Sequence, residues 1–205
     1  MPHPLASMRR SSDMKILIAC EFSGVVRDAF TKLGHDAWSC DLLPSERPGN
    51  HIQGNVLDVV GDGWDLMIAH PPCTHLAVSG AAHFHKKQAE QMEALRFVRF
   101  LLDAPIQKIA LENPVSVIST KIRKPDQIVH PWMFGHPEQK TTCLWLKGLP
   151  KLIPTNDVKE QMLALPKNKR ERLHYLSPGK DRWRERSRTF EGIAEAMAKQ
   201  WGIRY

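Results

Sequence analysis

Apolar runs of strand length, alternating with segments of helical periodicity, set the limits on what this chain can fold into. MKILIAC (14–20) reads as a buried strand. GVVRDAFTKLG (24–34) follows as a helix, with Val26, Ala29, Phe30 and Leu33 at helical spacing before Gly34 stops it. HDAWSCD (35–41) is a second strand, NHIQGN (50–55) a short third, and DLMIAH (65–70) a fourth whose unbroken hydrophobicity suits a parallel strand buried on both faces. The segment from His85 to Ala104 sets Met92, Leu95, Val98 and Leu102 on one helical face. IQKIALEN (106–113) and TTCLWLKG (141–148) are further strands. TFEGIAEAMAKQWG (189–202) closes the chain as a helix with Phe190, Ile193, Met197 and Trp201 inward. This alternation predicts an α/β fold, a doubly wound, mostly parallel sheet with helices on both faces.

With 205 residues the chain has room for one such core and little else. No apolar run reaches the roughly 20 residues that span a bilayer. The polar, proline-broken start MPHPLASMRRSSDM lacks an apolar signal core, so residues 1–13 are expected to be a disordered leader in a cytoplasmic protein, with Met8 or Met14 as alternative starts. The four cysteines, Cys20, Cys40, Cys73 and Cys143, form no CxxC pair, which argues against a disulfide framework or a zinc ribbon. Three belong to apolar runs and read as core thiols; only Cys73 sits in a loop. The net charge of +7 is concentrated between Lys167 and Arg188, where nine basic residues face three acidic ones. That segment reads either as a solvated charged surface or as one that grips phosphates, with Tyr175 and Trp183 placed to stack on bases.

In sheets of this kind ligands bind beyond the carboxyl ends of the strands. The residues there are Glu21, Phe22, Ser23 and Gly24 after the first strand, Asp41 after the second and Asn55 after the third. Pro71, Pro72 and Cys73 follow the fourth, and Glu112 and Asn113 end the fifth. In this order they resemble the motifs of the DNA (cytosine-5) methyltransferases, Rossmann-like enzymes that use S-adenosylmethionine, here in a small form with a reduced target-recognition region. EFSG resembles their first cofactor motif, Asp41 their ribose acid, and GNVLD their adenine contact. HPPCTHLAVSG resembles the Pro-Pro-Cys loop, including Gly80 seven residues beyond the cysteine, and LENP the Glu-Asn-Val strand end. PEQKTTCLWLKG resembles, more thinly, a Gln-x-Arg-x-Arg strand, with Lys140 and Thr142 at the arginine positions.

The resemblance implies that S-adenosylmethionine binds against Glu21, Phe22, Ser23, Gly24, Asp41, Asn55 and Pro71. It implies a Cys73 nucleophile that adds to carbon 6 of cytosine and a Glu112 carboxyl, its pKa raised by burial, that protonates ring nitrogen 3. A rigid loop near His70, His75 and a cationic cofactor is expected to lower the Cys73 pKa. DNA is the implied partner, reached by base flipping or as single strand, with RNA also open. Asn113, Lys140, Thr142, Arg182, Trp183 and Arg184 are the candidate substrate contacts. The chain departs from the family in having valines where the first motif carries another glycine, Asn55 for an aspartate and Pro114 for a valine. The expected organisation is a methyltransferase core over 14–146, a small basic substrate-binding insertion over 147–187 and a closing helix over 188–205. An insertion so short predicts weak or very short sequence specificity. Two other readings keep the fold: a cytosine-modifying enzyme with another one-carbon donor, such as a hydroxymethylase, and an inactive nucleic-acid-binding relative. A deaminase fails on motif order, and His70, Cys73, His75, His83 and His85 are too closely spaced for an ordinary metal site. Oligomeric state is left open.

Overall fold

A computed structural model describes residues 13–80 and 87–203. Seven strands form one mixed sheet: β1 (Lys15–Ala19), β2 (Asp36–Asp41), β3 (His51–Gln53), β4 (Leu66–Ala69), β5 (Lys108–Pro114), β6 (Gln127–Val129) and β7 (Thr142–Lys147), in the order β3-β2-β1-β4-β5-β7-β6. The first five are mutually parallel, while β7 is antiparallel to both β5 and β6. The arrangement is the dinucleotide-binding order 3-2-1-4-5-6 with one reversed strand inserted, and its switch point lies between β1 and β4.

The central strands β1 and β4 are apolar along nearly their whole length because both faces of the sheet are covered. Ile16, Ile18, Leu66, Ile68, Ala110 and Leu144 point to the side holding α1 (Val25–Lys32) and α7 (Glu191–Trp201). Their alternate neighbours Leu17, Ala19, Met67, Ala69, Ile109, Leu111 and Trp145 point to the side holding α2 (Gln88–Leu102) and the short α3 (Ile118–Lys121). Trp201 on α7 is 1% exposed, and its indole donates to the Pro150 carbonyl at 2.9 Å, which closes the first layer. Three further short helices, α4 (Lys159–Ala164), α5 (Lys167–Arg170) and α6 (Arg182–Ser187), occupy the interval before α7.

The strand expected over 141–148 exists but runs against β5, which corrects its implied parallel placement. Segment 130–141, which precedes it, carries Pro131 and Pro137 and holds a single 3-10 turn, Pro131–Met133. A parallel return needs a crossover of about a dozen residues, usually helical, so this connection folds back antiparallel onto β6 instead. β6 itself was not foreseen; three residues are too few to show a period. The helix expected from His85 is seen from Gln88, and residues 85–86 lie outside the described residues, as does the leader over 1–12. No helix among the described residues is long and apolar enough to cross a membrane.

Candidate active site

The carboxyl edge at the β1/β4 switch point is built first by the turn after β1. Cys20 adopts φ 59°, a left-handed conformation that costs a residue with a Cβ on the order of 1 kcal/mol, and Gly24 follows at φ 75°. Between them the buried Glu21 carboxylate accepts from the Ser23 hydroxyl at 3.1 Å and the Val26 N–H at 2.8 Å through Oε1. Its Oε2 accepts from the Arg27 N–H at 3.2 Å. Glu21 thereby satisfies the exposed amides that open α1. Val25 and Val26 face the core under α1 and do not line the cavity beside the turn. Arg27, 1% exposed, reaches past Gly24 to Ser39, Ser45 and the Arg47 and Pro48 carbonyls, and so pins the loop between β2 and β3. Glu46 of that loop donates its N–H to the Phe22 carbonyl at 2.8 Å.

A small, partly open cavity lies here, lined by Cys20, Glu21, Phe22, Ser23, His70, Ser187 and Thr189. Its roof is the basic segment: Trp183 on α6 meets the Phe22 ring at a centroid distance of 5.5 Å, and Arg188 grips Glu46 at 2.7 Å. Arg182 donates to the His174 carbonyl at 2.9 Å, and the Arg184 guanidinium lies 5.5 Å from the Trp183 ring centre. Each of the three expected substrate contacts of α6 thus has a partner within the protein, above the turn after β1, while the Trp183 ring stays 48% exposed. Asp41, at the end of β2, accepts the Leu43 N–H at 2.9 Å. Burial raises its carboxyl, against the lowering effect of that bond and of His51. Asn55 is exposed and caps a 3-10 turn, its amide oxygen accepting from the Leu57 N–H at 3.1 Å.

The second half of the site follows β4. Asn113, 1% exposed at the end of β5, donates from Nδ2 to the Pro71 carbonyl at 2.9 Å. Leu76 and Ala77 donate their N–H groups to the Cys73 carbonyl, and the Val78 and Val117 amides zip the following stretch to the segment after β5. Pro71 and Pro72 are therefore held between two strand ends, and Cys73 projects beyond them as the only exposed thiol of the four. Glu112 accepts at Oε2 from His70 Nδ1 at 3.1 Å. Because β7 is reversed, its start rather than its end meets the tip of β5, with Thr142 opposite Pro114. That register brings Lys140 to the edge, where its charge acts on both Cys73 and Glu112. Lys140 Nζ also donates to the Arg186 carbonyl at 3.0 Å, tying α6 to the site, whereas Thr142 is buried at 3% exposure.

Two expectations about ionisation are overturned. Burial pushes the Glu112 carboxyl up, but the His70 hydrogen bond and the Lys140 charge outweigh it, so the group lies below the usual carboxylate range and is charged in the free protein. Desolvation and the Glu112 charge raise the Cys73 thiol, more than Lys140 and Arg186 lower it. The two groups are close enough to oppose each other, which spacing along the chain could not reveal. Sequence reasoning also missed the positions of His70, Glu46 and Arg188; their partners lie 42 to 142 residues away. Among the described residues no group of three or more His, Cys, Asp or Glu could hold a metal ion; His83 and His85 lie outside them.

Fold and site together define an α/β protein whose switch-point cavity adjoins an exposed thiol and a buried carboxylate. No protein-family model matches the chain, and no curated protein matches it. Among solved structures, one from E. coli, provisionally assigned as a DNA modification methyltransferase encoded within a prophage, aligns at 15% identity with a TM-score of 0.43. The alignment covers 76% of this chain and 56% of that one, so this chain spans little more than half the neighbour's length.

Proposed function

We propose that the chain is an S-adenosylmethionine-dependent methyltransferase acting on carbon 5 of cytosine in DNA through a covalent Cys73 adduct. The observation that carries this reading is the convergence, at one sheet edge, of the exposed Cys73 thiol, the Glu112 carboxylate and Lys140 beside the switch-point cavity. The turn beside the cavity offers groups suited to the cofactor: Phe22 and Ser23 line the cavity together with His70, whose ring nitrogen Nε2 is buried without a partner. Phe22, Ser23 and Gly24 would hold the methionine portion, with Glu21 fixing their turn and Pro71 beside them. Asp41, at the end of β2, would take the ribose hydroxyls, and Asn55 would approach the adenine.

Carbon 5 of cytosine is a weak nucleophile until aromaticity is broken. The Cys73 thiolate forms a bond to carbon 6, and ring electron density moves toward carbon 5 and nitrogen 3. Glu112 then holds a proton on nitrogen 3, while Lys140 balances its charge between turnovers. When bound, S-adenosylmethionine supplies an electrophilic methyl group for the activated carbon 5. Loss of the carbon 5 proton to water and cleavage of the bond from Sγ to carbon 6 restore the ring and free the thiolate. Asn113 serves by fixing the Pro71 carbonyl, so that the nucleophile loop does not drift. A base inside a duplex cannot reach this edge, so it must be flipped or presented on a single strand. The segment 147–187 is too short to form a separate base-reading domain, which supports short or weak specificity.

The test is methyl transfer from labelled S-adenosylmethionine to cytosine oligonucleotides, with product analysis by mass spectrometry and Cys73→Ala as control. The expected product is 5-methylcytosine, absent with Cys73→Ala. A different one-carbon adduct, or transfer that persists in the variant, overturns the mechanism.

A further inference from the structure

Glu112 as it stands is ill suited to protonate a base, because it is held as a carboxylate. Its hydrogen-bonding side chain is His70, whose Nδ1 lies 3.1 Å from Oε2. The His70 side chain is 9% exposed, its Nε2 is buried with no partner, and the ring lines the cavity between β1 and β4. A neutral imidazole carries one N–H. A carboxylate can only accept, so that proton sits on Nδ1, and Nε2 carries the lone pair. A buried acceptor left bare forfeits its hydration with nothing in return, which marks Nε2 as an atom waiting for a proton or a donor.

We propose that His70 and Glu112 form one proton-sharing unit, in which Nε2 takes up a proton delivered from bulk solvent while Nδ1 passes its own to Glu112, which donates it to ring nitrogen 3 of cytosine. The inference rests on the cytosine methyltransferase reading above. The step balances: one proton enters at Nε2 and one leaves at Nδ1, so the imidazole ends neutral with its proton on the other nitrogen. Glu112 becomes a carboxylic acid, the donor that thiolate addition to carbon 6 requires. On release of the product the nitrogen 3 proton returns to Glu112, and the same two ring atoms run in reverse. His70 does not touch the base; it is a positioning residue that acts through Glu112.

The groups facing the pair come from every neighbouring element: Cys20 and Glu21 from the turn after β1, Cys73 from the loop after β4, Lys140 and Cys143 from around β7, and Arg186 from α6. Transfer needs a proton on Glu112 and a thiolate at Cys73, two opposing demands that make the wild-type profile against pH a bell. Without His70 the demand for a proton on Glu112 remains while its supplier is gone, so the profile is displaced as well as lowered.

Two measurements on the full chain test this. In the free protein, nitrogen-15 shifts of the His70 ring are followed against pH in wild type and Glu112→Gln. The expected result is a proton on Nδ1 and a bare Nε2 at alkaline pH, with a titration that moves when Glu112 loses its charge. A bare Nδ1, or the same titration in both proteins, overturns the proposal and needs no active enzyme to do so. In the second, His70→Asn and His70→Gln, which retain a donor to Glu112 but cannot relay a proton, should lower kcat about 100-fold with oligonucleotide binding unchanged and the bell displaced. Variants that keep kcat and the bell overturn it. Wild-type protein that transfers no methyl group at any pH refutes the methyltransferase reading, whatever the histidine shifts. Transfer by a wild type whose His70 is uncoupled from Glu112 refutes the proton-sharing unit alone.

Discussion

Replacing Asn113 by Leu removes the bond that joins β5 to the Pro-Pro-Cys loop while keeping the branching and the number of side-chain heavy atoms. In the native fold Asn113 Nδ2 donates to the Pro71 carbonyl at 2.9 Å, both residues are buried, and the other amide atom, Oδ1, has no partner. Losing the hydrogen bond costs about 1 kcal/mol net, and leaving the Pro71 carbonyl buried and unpaired adds about 1–3 kcal/mol. Removing the unsatisfied Oδ1 returns part of that. The balance is a destabilisation of about 2 kcal/mol, equivalent to about 4–8 °C in Tm for a chain of this length. Urea unfolding monitored by tryptophan fluorescence measures it. Because the bond secures the loop carrying the only exposed thiol, alkylation of Cys73, followed by peptide mass spectrometry, should change in rate at the same time. A variant whose unfolding midpoint and Cys73 alkylation rate both match wild type would show that the loop is held by its prolines and the Val78 and Val117 amides alone, and would refute the latch.

Alkylation followed against pH should place the Cys73 thiol above the ordinary thiol range. Glu112→Gln should bring it down by removing the opposing charge, and Lys140→Met should push it further up; a fall with Lys140→Met contradicts the assigned electrostatics. Cys20 gives a separate stability window. Burial, with the Asp41 and Cys40 charges, raises its thiol from 9.0 to about 12, so the folded state disfavours ionisation that the unfolded chain accepts. That contribution is intact below pH 9.0 and is lost as pH rises toward 12, at most about 4 kcal/mol at the top. Cys20→Gly, which suits φ 59°, should flatten the alkaline fall in urea midpoint; an equally steep fall assigns it elsewhere.

Much of the fold was legible in the sequence because parallel strands buried on both faces carry continuous apolar runs. β1 and β4, and the IAL centre of β5, announce themselves in this way, and α1, α2 and α7 by helical spacing. The strand ends could therefore be read off, and with them Glu21, Asp41, Cys73, Glu112 and Asn113. Their partners could not. Glu21 is spent on the amides of α1, Asn55 on its own turn, and Asn113 on Pro71, since a polar group at a strand end takes whichever partner the neighbouring chain presents.

The sequence by itself determined which groups stand at the carboxyl edge. It did so because a buried run has only one exit, and the residue after it has nowhere else to go. The tertiary structure decided what those groups do to one another. The reversal of β7 carries Lys140 to the site instead of to the opposite edge. The return of α6 sets Trp183 on Phe22 rather than on open surface, and the meeting of β4 and β5 joins His70 to Glu112. Charge interactions fall off with distance through space, and distance along the chain carries no record of them. For that reason the sequence supplied the thiol and the carboxyl, while the fold alone set a raised Cys73, a lowered Glu112 and the histidine between them and the cavity.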